Sequence, residues 1–237
     1  MSAAGPDAVL GIDTATGDVA VAVTAAGELL YERSVAPAEG ERPRHSAALL
    51  AEIEAALDRV GGWDRVAVIA VGIGPGMFTG LRVGVATARA LAQARGLEIA
   101  PVISPHALAL GIPRQGERSR LGLIDARRGE LFSALVGPGG ELASEPFVAS
   151  PEAVAERAAR LAEYPLAAGD GSLRFRDQLE GAGVEVLPDA DPAHRMAARH
   201  VCALAEGAAR VRPEQATPIY LRRPDAEVWR EQRAGGR

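Results

Sequence analysis

The sequence predicts an α/β protein made of two copies of one unit, each with the order strand-strand-strand-helix-strand-helix-strand-helix. Short β-branched runs alternate along the chain with segments whose apolar residues recur at helical spacing. In addition, residues 121–125 (LGLID) repeat the opening residues 10–13 (LGID), and a Gly-Glu-Leu run follows each block. The letters match weakly, and a chance similarity of two strand-turn-strand units is the alternative. The repeated order of elements favours duplication.

The first copy has apolar runs at 9–13, 18–24, 28–35, 66–72 and 97–103, which predict strands separated by turn residues. Helices are predicted at 45–60, stopped by Gly61-Gly62, and at 79–95, which ends at Gly96. Thr79 is of the residue type that caps a helix N-terminus.

The second copy follows a polar stretch near 105–120, so we expect an N-terminal domain at 1–108 and a C-terminal domain at 109–222. Its helices are predicted at 151–162, 172–180 and 194–211. Strands are predicted at 184–187 and just before residues 168–171 (AGDG). Residues 223–237 interleave Arg with acidic residues and are predicted to form a solvated tail.

Composition excludes several classes of protein. The 237 residues are 48% apolar and 24% charged, and a net charge of −5 argues against a broad basic nucleic-acid footprint. All 26 basic residues are Arg, so Schiff-base chemistry and the Lys of a P-loop are absent. The lone Cys202 forms no disulfide framework and is predicted to be a small core residue. We find no signal peptide or membrane span, and expect a cytoplasmic protein.

The turn after the first strand of each copy is a place where such a unit can bind phosphate. The turn needs a carboxylate to hold metal-bound water and a small residue that lets backbone N–H groups approach. In the first copy Ala15 stands where Gly would open the turn, and in the second copy two bulky arginines, at 127 and 128, follow Asp125. The alternative is that the carboxylates only cap hairpin turns. The candidate phosphate-turn residues are Asp13, Thr14 and Thr16.

Residues 72–80 (GIGPGMFTG) predict a strand that runs into a glycine-rich turn and then a helix. The turn is not a Walker A motif, because no Lys follows, and its glycines are spaced wrongly for a dinucleotide fingerprint. In the helix, Gly80, Gly84, Ala88 and Ala92 recur every four residues and form a flat stripe. Gly84 costs about 1 kcal/mol there relative to Ala, so a close contact must offset it. That contact is either with the chain's own sheet or with a partner chain.

Metal ligation is not predicted, because no two histidines lie four apart on a helix face. No nucleophile elbow marks a Ser-His-Asp arrangement. The histidines are His45, His106, His194 and His200.

Residues 74–86 (GPGMFTGLRVGVA) resemble the signature of the bacterial TsaB (YeaZ) family. The resemblance extends to residues 12–14 (IDT), 45–46 (HS), 125–130 (DARRGE) and 218–222 (PIYLR), and so covers roughly residues 9–222. It implies an α/β, duplicated actin-like fold of the sugar-kinase and Hsp70 (ASKHA) superfamily, ribonuclease H-like in each half. This agrees with the duplication inferred from the element order.

The resemblance implies a non-catalytic accessory subunit. TsaB-like proteins pair with the related catalytic subunit TsaD and with the small ATPase TsaE to transfer a threonylcarbamoyl group to N6 of an adenosine beside the tRNA anticodon. The catalytic relative holds its metal with a His-x-x-x-His pair, whereas here His106 is followed four residues later by Leu110. No metal and no resident cofactor are expected, and a nucleotide at the subunit junction is left open. Contact with tRNA is expected through the complex, with the 223–237 tail as an alternative contact.

In the family the partner contact is a bundle of the two N-terminal helices, which correspond to 45–60 and 79–95 here. The same helices offer a route to a homodimer when the chain is alone. The expected contact residues are His45, Leu49, Arg82, Val83, Val85 and Arg89, with Gly80, Gly84 and Ala88 permitting close approach.

Two rival functions are weighed. An autonomous ATP-dependent phosphotransferase of the same superfamily needs two intact nucleotide turns, which Ala15 and the arginines at 127 and 128 contradict. A peptidase needs a nucleophile with its base or a metal, and the sequence offers neither.

Overall fold

The computed structural model describes residues 6–37 and 45–221, and its first half follows the predicted order of elements. Its strands are β1 (Ala8–Asp13), β2 (Val19–Ala25), β3 (Glu28–Val35), β4 (Val66–Gly74) and β5 (Glu98–Ile103). Its helices are α1 (His45–Val60), α2 (Phe78–Arg95) and α3 (Ser104–Leu110). The central strands β1 and β4 are rich in Val, Ile and Ala and are buried almost throughout, as strands covered on both faces must be.

The second half repeats this order with shorter elements. Its strands are β6 (Arg120–Arg127), β7 (Glu130–Val136), β8 (Phe147–Ala149), β9 (Leu166–Ala168) and β10 (Glu185–Val186). Its helices are α4 (Pro151–Ala158), α5 (Asp170–Arg174), α6 (Arg176–Glu180) and α7 (Ala198–Ala205).

The two sheets have the same strand order, which confirms the predicted duplication. The first sheet runs β3-β2-β1-β4-β5 and the second runs β8-β7-β6-β9-β10. In each half the first strand pairs antiparallel with the second strand and parallel with the fourth. The repeated LGID and LGLID blocks form the corresponding central strands β1 and β6.

The last helix of each half packs on the sheet of the other half. Helix α3 lies against β6, where a Cβ on Gly122 would collide with the backbone carbonyl of Pro105. Helix α7 lies against β1, where a Cβ on Gly11 would be 2.9 Å from the carbonyl oxygen of Ala198. The glycine in each repeated block therefore admits a helix from the opposite half. The predicted domain boundary at 108/109 falls within α3.

Helices α1 and α2 cover the other face of the first sheet. The buried face of α1, which includes Leu49 and Ile53, packs in one cluster with Val85 of α2 and the β1 side chain of Ile12. Two ion pairs connect α7 and the residues just before it to the edge of the first sheet. Arg195 Nε donates to Asp18 at 2.8 Å, and Arg199 pairs with Glu32.

Several predicted boundaries need correction. Helix α2 begins at Phe78, with Met77 at the N-cap position and no side-chain cap, so Thr79 is an exposed first-turn residue. The helix predicted at 172–180 is divided into α5 and α6 at Phe175, whose backbone is not helical (φ −117°, ψ 28°).

Two predicted helices are shorter than expected. Helix α4 ends at Ala158 rather than 162, and α7 covers 198–205 rather than 194–211. Val211 instead exchanges two backbone hydrogen bonds with Ile99 at the edge of the first sheet, at 2.8 and 2.9 Å. The predicted tail at 223–237 lies outside the described residues. Within the described ranges, no helix combines the length and apolar character needed to cross a membrane.

Candidate functional site at the glycine-rich loop and helices α1 and α2

The glycine-rich loop between β4 and α2 closes over the turn that follows β1. Met77 N–H donates to the carbonyl oxygen of Ala15 at 2.7 Å, and Gly76 lies directly against the Ala15 backbone and side chain. Any side chain at position 76 would overlap Ala15, which explains the glycine. The loop contains a cis peptide bond between Gly74 and Pro75.

The small-residue stripe of α2 faces the same turn. The Thr14 hydroxyl donates to the carbonyl oxygen of Gly80 at 2.8 Å. A Cβ on Gly80 would collide with the Thr14 carbonyl, and a Cβ on Gly84 would collide with the Thr14 hydroxyl. Ala88 and Ala92 continue the stripe and are fully buried. The stripe therefore serves close packing within the chain, which was one of the two accounts that the sequence allowed.

The predicted phosphate-turn residues are all used internally. Asp13 and Thr14 are each 1% exposed, and Thr16 is 9% exposed. The carbonyl oxygen of Thr16 lies 3.2 Å from His45 Nε2 at the start of α1. In this conformation the turn is packed against the glycine-rich loop, α2 and His45. Asp13, Thr14 and Thr16 are thus used in contacts within the described chain, and a phosphate-binding role for them stays a prediction.

Asp13 is held in an environment that disfavours its charge. Its Oδ1 accepts a 2.7 Å hydrogen bond from Ala15 N–H, whereas its buried Oδ2 has no hydrogen-bond partner among the described residues and faces Gly72 and the Ser104 hydroxyl. Burial raises the pKa of Asp13 to about 6, against the lowering influence of Ser104 and Ala15. A buried carboxylate whose charged form is destabilised in this way is uncommon at positions that serve only packing.

The second turn is occupied by ion pairs. Asp125, which is 5% exposed, accepts hydrogen bonds at its Oδ2 from Arg127 at 3.0 Å and from Arg174 at 2.8 Å. Its Oδ1 accepts from Arg127 N–H at 2.8 Å. Arg127, one of the two arginines that follow Asp125, is thus held against the carboxylate by its side chain and its backbone N–H.

The space between the two turns is filled by apolar side chains. One continuous buried cluster contains Ala15 and Leu81 of the first half together with Ile124, Ala126 and Phe132 of the second. The two halves are thus joined by close packing of these side chains.

The predicted partner-contact residues fall into two groups. Arg82 is exposed, and Val83 and Arg89 are half-buried, so these three remain accessible to a partner. The remainder face the interior of the chain, because α1 and α2 turn these positions toward the first sheet and the turn after β1. The inward-facing residues are His45, Leu49, Gly80, Gly84, Val85 and Ala88.

Sequence reasoning missed the outward-facing residues of the same two helices. On α1 the exposed small or apolar residues at helical spacing are Ala47, Leu50 and Ala51, and the Leu50 side chain is 55% exposed. The acidic residues Glu54 and Asp58 continue this exposed side toward the end of the helix. On α2 the exposed small residues are Ala86, Ala90 and Ala94. We call the six small or apolar residues the outer helix surface. Its signal in the sequence was a second four-residue repeat of alanine in α2, two residues after the glycine stripe.

The C-terminal segment crosses the start of α2 and completes this region. Ile219 N–H donates to the carbonyl oxygen of Ile73 at 2.7 Å. The centroid of the Tyr220 ring lies 5.1 Å from that of the Phe78 ring. The Arg82 guanidinium stacks on the same Phe78 ring, 4.7 Å from its centroid. Residues 218–221 of the family signature therefore fasten the glycine-rich loop.

A family model described as "TsaD: tRNA N6-adenosine threonylcarbamoyltransferase" matches residues 30–183. TsaB of Escherichia coli, the "tRNA threonylcarbamoyladenosine biosynthesis protein", is 30% identical over 226 residues, which are 90% of this chain and 94% of that protein. The chain belongs to the TsaB/YeaZ family.

Another relative of this TsaB-family chain is an uncharacterized protein of Mycobacterium leprae, 33% identical over 226 residues. That match covers 92% of the chain but 56% of the relative, so the chain spans about half of that protein's length. Among solved structures, YeaZ from Pseudomonas aeruginosa is 28% identical with a TM-score of 0.73, covering 91% of this chain and 100% of that one. The predicted duplicated α/β fold is confirmed by the matching strand orders of the two sheets and by the likeness to YeaZ.

Other nucleophiles and histidines of this TsaB-family chain are in structural roles. Cys202 is 1% exposed, as predicted, and burial raises the pKa of its thiol to about 12. The buried hydroxyl of Ser172 donates to the carbonyl oxygen of Gly169 at 2.8 Å, while His194 Nε2 lies 3.1 Å from the Leu187 carbonyl oxygen. His106 Nε2 lies 2.7 Å from the carbonyl oxygen of Gly140. In the described part of the chain, no three His, Cys, Asp or Glu side chains converge as metal ligands would.

Proposed function

We propose that this chain is the non-catalytic accessory subunit that binds its TsaD homologue in the cytoplasm and, with TsaE, supports threonylcarbamoyl transfer to N6 of the adenosine next to the tRNA anticodon. The observation that carries the proposal is the buried turn after β1. Asp13, Thr14 and Thr16 are buried beneath the glycine-rich loop, which supports a chain that does not bind phosphate at this turn. Such a subunit contributes by binding.

The outer helix surface is the proposed docking site for TsaD. Exposed residues of a helix are usually charged or polar, whereas the first half of α1 presents Leu50 with Ala47 and Ala51, and α2 presents three alanines four residues apart. Small and apolar outward residues permit a helix of a partner to approach closely. Arg82 and Arg89 flank this surface and supply polar contacts at its rim. Because the TsaD family model matches residues 30–183, we expect TsaD to have two helices that correspond to α1 and α2, which favours a helix bundle between the subunits.

The docking test introduces charge on this surface. Ala86→Glu with Ala90→Glu is expected to weaken binding to the TsaD homologue of the same organism at least tenfold, measured by co-purification and titration, because two carboxylates would be buried in the contact. Ala159→Glu with Ala182→Glu is the matched control, since both alanines are exposed in the second half. Equal loss in both variants, or in neither, would remove the docking surface from the proposal.

The functional test is reconstitution of tRNA modification from purified TsaD and TsaE with and without this chain. Product is expected only when the chain is present, and Ala86→Glu with Ala90→Glu is expected to reduce it in proportion to lost binding. If TsaD modifies tRNA equally well alone, the accessory role is wrong. Turnover of ATP by the chain alone would instead support the autonomous phosphotransferase.

A homodimer through the same surface is a further outcome of these experiments. The chain alone would then have the molecular mass of a dimer, and Ala86→Glu with Ala90→Glu would dissociate it. TsaD would compete with this self-association. Monomeric behaviour leaves the surface available to TsaD alone.

A further inference from the structure

Two arginine side chains converge on a single carboxylate oxygen at the β6–β7 hairpin. Arg127 and Arg174, which come from the hairpin and from α5, both donate to Asp125 Oδ2, at 3.0 and 2.8 Å. Asp125 is 5% exposed, whereas the two arginine side chains are 61% and 48% exposed. A second carboxylate lies beside this group, because Asp170 Oδ1 accepts a 3.0 Å hydrogen bond from Asp125 N–H. Two guanidinium groups are thus matched by two carboxylates, and what the site offers a ligand is hydrogen-bond donors and not an excess of positive charge. We call Asp125, Arg127 and Arg174 the arginine pair site.

The backbone of the hairpin adopts a conformation that arginine disfavours. Arg127 and Arg128 have φ angles of +63° and +54°, in the left-handed region that glycine adopts without strain. Gly129, at φ +81°, completes the turn. Backbone conformations of this kind gather at sites where a side chain is needed in a particular direction.

The guanidinium groups retain unused donors. Each has five N–H donors, and one nitrogen of each is bound to Asp125. Among the described residues Arg174 additionally lies over the Phe175 ring, 5.4 Å from its centroid, which leaves its outer edge open. Asp125 therefore holds the two guanidinium groups next to each other while their remaining N–H donors face solvent. Two adjacent guanidinium groups can donate to the oxygens of one phosphate group.

We propose that the arginine pair site binds a backbone phosphate of tRNA when the chain is part of its complex; this rests on the proposed function. An RNA phosphate fits better than a free nucleotide for two reasons. The site is an open surface rather than an enclosed pocket, with both arginines about half exposed. A nucleotide would also draw on the opposed turn after β1, and that turn is buried. Because the whole chain has a net charge of −5, we expect this contact to be local and to form one part of a larger RNA-binding surface of the complex.

The test measures the affinity of unmodified tRNA for the complex of the chain with TsaD. Arg127→Gln with Arg174→Gln is expected to weaken binding about tenfold at low salt and to reduce the slope of log affinity against log salt by about one to two. Arg160→Gln with Arg210→Gln removes the same charge from two exposed positions and is expected to change affinity less than twofold. Binding to TsaD and thermal melting are recorded for every variant, so lost docking or unfolding is seen separately.

A second variant covers the case in which unpaired Asp125 unfolds the chain. Adding Asp125→Asn removes the stranded charge while its amide oxygen can still accept from Arg127 N–H, and the same loss of tRNA affinity is expected. Unchanged affinity and salt slope in a folded, TsaD-bound variant would overturn the phosphate contact and leave the proposed function standing. An equal loss in the control pair, or competition for the site by ATP but not by tRNA, would also overturn it. Failure of the unaltered chain to bind TsaD is the separate failure of the proposed function.

Discussion

The hydroxyl of Thr14 donates a 2.8 Å hydrogen bond to the carbonyl oxygen of Gly80. This bond joins the turn after the first strand to the first turn of α2, and the missing side chains of Gly80 and Gly84 make room for it. The segment that resembles a phosphate-binding turn is therefore a fixed joint between strand and helix. The family's most distinctive residues, 74–80, are needed for that joint whether or not a partner is bound.

Replacing Gly84 by Leu is expected to destabilise the isolated chain by about 1–3 kcal/mol, because the new side chain would collide with Thr14. The measurement is the free energy of unfolding in urea. Ala86→Leu, two residues along on the exposed face, serves as the control and should stay within about 0.5 kcal/mol of the unaltered chain. A Gly84→Leu chain as stable as its parent would mean that the stripe does not pack internally.

Replacing Asp13 by Asn is expected to stabilise the chain at pH 7. Burial raises the pKa of Asp13 from 3.8 to about 6, so the folded state binds a proton more tightly than the unfolded state, and ionisation opposes folding above pH 6. A shift of this size corresponds to about 3 kcal/mol at most. The gain from Asn should shrink as the pH falls from 6 to 4. Urea unfolding at several pH values checks this, with exposed Asp58→Asn as the control.

His200 is expected to give the opposite pH dependence. Burial lowers the pKa of His200 from 6.5 to about 4, so its stabilising contribution is complete above pH 6.5. As the pH falls from 6.5 to 4, the unfolded chain gains a proton that the folded chain resists, and stability is lost. His200→Gln should therefore lose less stability than the unaltered chain over this range, by about 1–3 kcal/mol. Parallel stability curves for the two proteins would contradict the assignment.

Cys202 is expected to be unreactive in the folded chain. It is 1% exposed, and burial raises the pKa of its thiol to about 12, so almost no thiolate is present at pH 8. A thiol reagent should label the native protein only as fast as it unfolds, and should label it within minutes in concentrated urea. Because the chain has a single cysteine, the labelling rate reports opening at α7 alone. Rapid labelling under native conditions would place α7 away from the first sheet.

The duplication was predictable because the signals for it are short segments of sequence. Gly11 and Gly122 occupy the same place in the two repeated blocks, and both admit a helix that packs closely on a central strand. The close packing at the two turns was also predictable in part, since Ala15 stands where a glycine would leave space and two bulky arginines follow Asp125. Side-chain size is readable from sequence alone.

The orientation of α2 was not predictable in the same way. Its sequence carries two stripes of small residues four apart, one containing Gly84 and one containing Ala86, and either could face the sheet. Contact with Thr14 selects the first, and that contact depends on tertiary packing. Likewise, the end of α7 was misjudged because Val211 pairs with Ile99, a residue more than one hundred positions away.

The crossing of α7 onto the first sheet has a consequence for synthesis on the ribosome. The alanines Ala20, Ala22 and Ala70 on that sheet share a buried cluster with Val201 and Cys202, which are translated late in the chain. The growing polypeptide must therefore carry an uncovered sheet until residue 205 has left the exit tunnel. A product truncated before Arg195 would leave that face of the sheet exposed to solvent. We expect quality-control proteases to degrade it.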